Sequence, residues 1–76
     1  MASKPYNGHP SWNAWNVSLW ISNDEGLYRF ALDCLGRHKR LYAAAREFIE
    51  SMPKSTPDGA KYSMRSVMHS LKGLQE

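Results

Sequence analysis

The chain has a single cysteine, no long apolar run and few large aliphatic side chains. Each shortage closes a class of protein. With Cys34 alone an internal disulfide is impossible, and a reducing compartment is the natural setting. No stretch approaches the length needed to cross a bilayer. The opening "MASKPYNGHP" lacks the hydrophobic segment of a signal peptide, so a cytoplasmic protein is expected. Three histidines are present, but His9, His38 and His69 lie far apart with no ligand spacing, so neither a metal nor a cofactor is expected. No period-two alternation marks a strand, and there is no internal repeat or low-complexity tract.

Catalysis finds no support either. Asp24 and Glu25 are adjacent and point in different directions, which makes them a poor acid–base pair. No phosphate-cradling glycine loop appears, and Cys34 reads as a small core residue rather than a nucleophile. A non-enzymatic protein is expected.

The composition is nonetheless that of a folded chain. Seventy-six residues, 42% hydrophobic and 12% aromatic, make one small domain over 1–76. The net charge is +3, a mild bias that permits an acidic partner without demanding one.

Helical periodicity dominates. Residues 1–10 read as an irregular arm, rich in proline with an Asn-Gly pair. Ser11 follows as a cap for a first helix over 11–23. A second helix over 24–35 carries Leu27, Tyr28, Ala31, Leu32 and Leu35 on one stripe, with Gly36 placed for a left-handed cap. A third, over 37–52, lines up Leu41, Ala45, Phe48, Ile49 and Met52 before Pro53 stops it. "KSTPDG" is a turn, and a fourth helix over 58–74 sets Met64, Val67, Met68 and Leu71 on one side. The serines at 63, 66 and 70 make that helix the weakest of the four. The fold class is all-α, a compact bundle of about four short helices with an irregular N-terminal arm.

All three tryptophans fall within the nine residues from Trp12 to Trp20. The economical reading places Trp15, Asn16, Leu19 and Trp20 in the core with Leu32 and Phe48, since each indole buries roughly 150–250 Å². Asn16 would then need partners, a backbone carbonyl of the arm or of the "TPDG" loop. Trp12 and Asn13, in the first turn where cover is thinnest, are candidates for partner contact. "GRHKR" is the densest basic run, and Arg37, His38, Lys39 and Arg40, joined by Arg29, could grip phosphates or an acidic protein patch. The same run could instead be a solvated turn that complements the end of the second helix. A helix-turn-helix reader fits poorly, because "AAAREFIE" turns acidic and apolar where a recognition helix should be polar.

One resemblance goes further. Trp12, Trp15, Asn16, Val17, Leu19, Trp20, Asn23, Asp24, Glu25, Leu27 and Tyr28 follow a W-x-x-W-N-V-x-L-W-I-x-N-D-E pattern that continues to Leu-Tyr. Thr56, Pro57, Asp58 and Gly59 add a T-P-D-G element. Together they resemble an uncharacterised family of short proteins encoded by phages, plasmids and other mobile elements. The chain departs from that pattern at Ser11, Asn13, Ala14 and Ala60. The resemblance implies an anti-defence protein, an anti-CRISPR inhibitor in particular. It would dock stoichiometrically on a host CRISPR effector component in the bacterial cytoplasm and block target DNA binding or nuclease recruitment. The competing expectation is a small nucleic-acid-binding regulator that uses the basic turn 37–40.

Overall fold

The computed structural model describes residues 9–75, so most of the expected arm lies outside the described residues. Helix α1 spans Trp12–Asn23, and Ser11 caps it, its hydroxyl accepting the Ala14 N–H at 3.1 Å. Asp24 then serves two helices at once. Its own N–H closes α1 on the Trp20 carbonyl, and its carboxylate opens α2, Glu25–Arg37, by accepting the Leu27 N–H at 3.0 Å. A side-chain acceptor at that place satisfies a donor that no helical carbonyl can reach.

Three boundaries differ from expectation. Helix α2 runs through Gly36 to Arg37 and ends in the extended backbone of His38, so Gly36 is a helical residue and not a left-handed cap. Helix α3 is shorter than expected, Leu41–Glu50, because residues 38–40 are a non-helical link and Arg40 supplies no side-chain cap. Helix α4 begins at Met64 and ends at Gln75, several residues later than the Asp58 start expected. The intervening turn explains the delay. Gly59 adopts φ 96, which favours glycine and breaks any helix there. Thr56 and Ala60 bond across the turn at 2.8 Å, and Ser55 and Lys61 form an isolated antiparallel bridge. Ser63 then caps α4, accepting the Ser66 N–H at 3.2 Å.

Among the described residues there is no β-strand, and the four helices close a ring in which α1 packs on α2, α2 on α3, α3 on α4 and α4 on α1. The fold is the all-α bundle the periodicity implied. No helix among the described residues is long and apolar enough to cross a membrane.

Phe48 sits fully buried at the centre, its ring 5.5 Å from Phe30 and 6.0 Å from Tyr62. Around it stand Val17 and Ile21 from α1, Ala31 and Cys34 from α2, Ala44 and Ala45 from α3, and Val67 and Leu71 from α4. Small side chains on α2 and α3 let those helices approach closely, which is how a chain poor in large aliphatics reaches a dense interior.

The serines of α4 have a place in the same design. Ser66 and Ser70 are buried where α4 meets α1, and the Ser70 hydroxyl lies 2.6 Å from that of Ser18. Val17 and Ile21 take the inner face of α1, and Trp12 and Leu19 turn outward. Leu19, expected in the core, is 36% exposed, and Leu32 is 41% exposed. Trp15 and Trp20 are half-buried at the margins.

Truncating Phe48 to Ala should cost about 3–5 kcal/mol of stability, as for other buried aromatics. Leu32→Ala should stay within about 0.5 kcal/mol of wild type, as surface changes do. Urea denaturation measures both, and comparable losses would contradict the assignment of inside and outside.

Candidate functional site

The polar residues among the tryptophans hold the 54–63 loop against α1. Asn13 makes three hydrogen bonds. Its amide nitrogen donates to the Lys61 carbonyl at 2.8 Å and to the Ser66 hydroxyl at 2.7 Å, and its oxygen accepts the Lys61 N–H at 2.7 Å. A side chain so committed is a clamp, which corrects its expected role in partner contact.

One turn on, Asn16 is 2% exposed and lies over the "TPDG" turn. Its amide nitrogen donates to Asp58 at 3.0 Å, and its oxygen accepts the Thr56 hydroxyl at 2.6 Å. Thr56 in turn accepts the Ala60 N–H at 3.1 Å. The Trp20 indole N–H joins the same Asp58 oxygen at 3.0 Å. These bonds hold the Asp58 carboxyl below its usual range, Asn16 contributing most and Trp20 next. Asn16 thus bonds side chains of the loop rather than its backbone, and Asp58 emerges as the common acceptor.

The basic turn is largely spoken for. Arg37 forms a two-pronged ion pair with Glu47, and the His38 ring nitrogen lies 2.7 Å from the same carboxylate. The Arg37 bonds, followed by that of His38, keep Glu47 ionised well below the usual carboxylate range. Arg29 pairs with Glu25 at 3.1 Å on the surface of α2. Of the residues expected to grip a partner electrostatically, Lys39 and Arg40 stand exposed with no ion pair among the described residues. Cys34 is buried, and that burial raises its thiol above the usual range, which keeps it protonated and unreactive.

On the outer face of α1, Trp12 is 40% exposed, with Leu19 two turns further on and Trp15 half-buried between them. Tyr28 and Leu32, four residues apart on α2, and Tyr42 at the start of α3 are also exposed. Beside Trp15 and Leu19 lies an open hollow of about 210 Å³ that reaches His9. It adjoins a larger cleft of about 420 Å³ between α1 and α4, also bordered by His9, with Ser18, Ser70 and Lys72. His9 and His69 meet there, ring nitrogens 3.0 Å apart. Sixty residues of separation hid that pairing from sequence reasoning. Among the described residues no group of three His, Cys, Asp or Glu side chains is placed to hold a metal ion.

Over residues 2–72 the chain matches the model of a family of unknown function, DUF7249. The chain belongs to that family. No curated protein and no solved structure matches it.

The family match spans both halves of the α1–loop clamp, from Asn13 and Asn16 to Thr56 and Asp58. The clamp was half legible. "TPDG" announces a turn, but nothing in linear order says that its Asp accepts from Asn16 and Trp20.

The depressed Asp58 carboxyl carries a pH signature. Its folded value lies below its unfolded one, so the stabilisation is fully present above the ordinary aspartate range and fades as pH falls through the folded value. Thermal melts from pH 7 down to pH 2 should show this acid loss, and Asp58→Asn should be less stable at neutral pH with a flatter acid limb. An unchanged acid limb in that variant would contradict the assignment.

Proposed function

We propose that the protein is a non-catalytic anti-defence inhibitor of mobile-element origin. In this reading it docks in the bacterial cytoplasm on a CRISPR effector component through the outer face of α1, blocking target binding or nuclease recruitment. The observation that carries the docking half is the outward Trp12–Leu19 stripe. A domain this small keeps a tryptophan and a leucine in water on one helix face while serines line the inner seam. Exposed apolar residues grouped on a rigid element are typical of partner-binding surfaces, and tryptophan is among the commonest energetic anchors. The identity of the target rests on the likeness of the Trp12–Tyr28 segment to small proteins of phages and plasmids.

Geometry favours this reading over a regulator that grips DNA with residues 37–40, because Glu47 pairs with Arg37 and holds the His38 ring, which engages two of those four side chains. An interface of ordinary size buries roughly 800 Å² on each partner. The whole domain exposes 5206 Å². A patch of that size would take about 15% of that surface.

The test combines a plasmid-interference assay with tagged co-purification from a CRISPR-bearing host, with and without nuclease. Effector subunits should co-purify at fixed stoichiometry after nuclease treatment, and interference should fall. Trp12→Ala with Leu19→Ala should keep a wild-type melt yet weaken the complex about thirtyfold, the loss of one hot spot. Full interference in the presence of the protein, with no effector subunit recovered, would overturn the proposal.

A further inference from the structure

The net positive charge of the chain is unevenly held. In the stretch from Glu25 to Glu50, three of the five cations are locked to carboxylates, Arg29 to Glu25, Arg37 to Glu47 and Arg46 to Glu50. From Lys54 to Lys72 the balance is different. Lys54, Lys61, Arg65 and Lys72 face one carboxylate, Asp58, whose oxygen already accepts from Asn16 and Trp20. All four cations are exposed, and none pairs with a carboxylate among the described residues.

Helical phase gathers two of them, Arg65 and Lys72, on one side of α4. At 100° per residue, Arg65, His69 and Lys72 fall within about 60° of one another on α4. That arc lies away from Val67, Ser70 and Leu71, which are buried. Lys61 leads into the same helix, and with Lys54 it borders a cleft of about 480 Å³ that also includes Ser63. At the other end Lys72 flanks the α1–α4 cleft, which is lined by Ser18, Ser22 and Ser70 and by no carboxylate.

We infer that the solvent face of α4, with Lys61 leading in and Lys72 at its far end, is a binding surface for the phosphate backbone of a DNA duplex. The chemistry is that of sequence-independent contact, in which cations replace the counterions condensed on phosphate. The face carries no Phe, Tyr or Trp. Stacking platforms are what single strands require, so a duplex is the better fit. The exposed tryptophan stands instead on α1. The surface is separate from the α1 docking stripe, and the inference holds whether or not the inhibitor reading does. It also moves the phosphate grip away from 37–40, where Glu47 already engages Arg37 and His38.

Fluorescence anisotropy with a labelled 20-base-pair duplex, titrated between about 20 and 200 mM salt, tests this directly. Four phosphate contacts give a slope of log K against log salt of about −3 to −4. The triple variant Lys61→Gln, Arg65→Gln, Lys72→Gln should lower that slope to about −1 and weaken binding at low salt at least tenfold, roughly the loss of three contacts. Its thermal melt should match wild type, since these side chains hold nothing in place. Lys39→Gln with Arg40→Gln should bind as wild type does. Any of four results would overturn the inference: no binding at the lowest salt, equal binding by the triple variant, preference for single strands, or equal competition by polyglutamate.

Discussion

The amide of Asn16 fixes which way α1 faces. It lies in the interior with an acceptor, Asp58, on one side and a donor, Thr56, on the other, and both belong to a single turn some forty residues away. A buried amide left without partners would cost on the order of a few kcal/mol, so any rotation of α1 that broke these bonds would be opposed strongly. Asn13 repeats the arrangement one turn earlier, against Lys61 and Ser66. With two amides pointing inward on one side and Val17 and Ile21 filling the core beside them, the remaining face must point out. That face carries Trp12 and Leu19.

The loop between α3 and α4 gains its shape from the same contacts. It has no regular structure beyond one bridge, yet Thr56 and Ala60 are buried. Gly59 turns the chain, Thr56 closes the turn on itself, and Asp58 reaches out to receive Asn16 and Trp20. Trp20 is therefore a strut at the edge of the domain, its ring half covered and its N–H committed. Charge follows a comparable division. Carboxylates on α2 and α3 pair with Arg29, Arg37 and Arg46, and of the six described Lys and Arg side chains left without a carboxylate partner, Lys39 and Arg40 lie on the α2–α3 link and four on the loop and α4. One domain thus offers an apolar face on α1 and a basic face on α4.

How much of this could be read in advance depended on range. Helix α1 and the cap at Ser11 were legible because capping and periodicity act within a few residues. The late start of α4 was not, since Asp58 and Gly59 look equally well like a helix entry until Thr56 is seen closing the turn. Leu19 and Leu32 were misplaced for a related reason. Periodicity finds an apolar stripe but cannot say which of two stripes faces inward, and on α1 the choice follows from Asn13 and Asn16, whose partners lie some forty residues or more away. Asn16 was expected to bond a backbone carbonyl of the arm or of the "TPDG" turn, yet its partners are side chains of that turn. His9 and His69 left no signal at all. Arg37 and His38 appeared as free charges because Glu47, their partner, lies on the next helix.

The most direct test of the account is a double-mutant cycle between Asn16 and Thr56, measured by urea denaturation of the wild type, Asn16→Ala, Thr56→Val and the double variant. If this hydrogen bond locks α1 to the loop, the two changes should be non-additive by about 1 kcal/mol or more, as for directly bonded buried pairs. Additivity within about 0.3 kcal/mol would mean that the two residues act independently. The orientation of α1, and the exposure of its tryptophan face, would then need another cause.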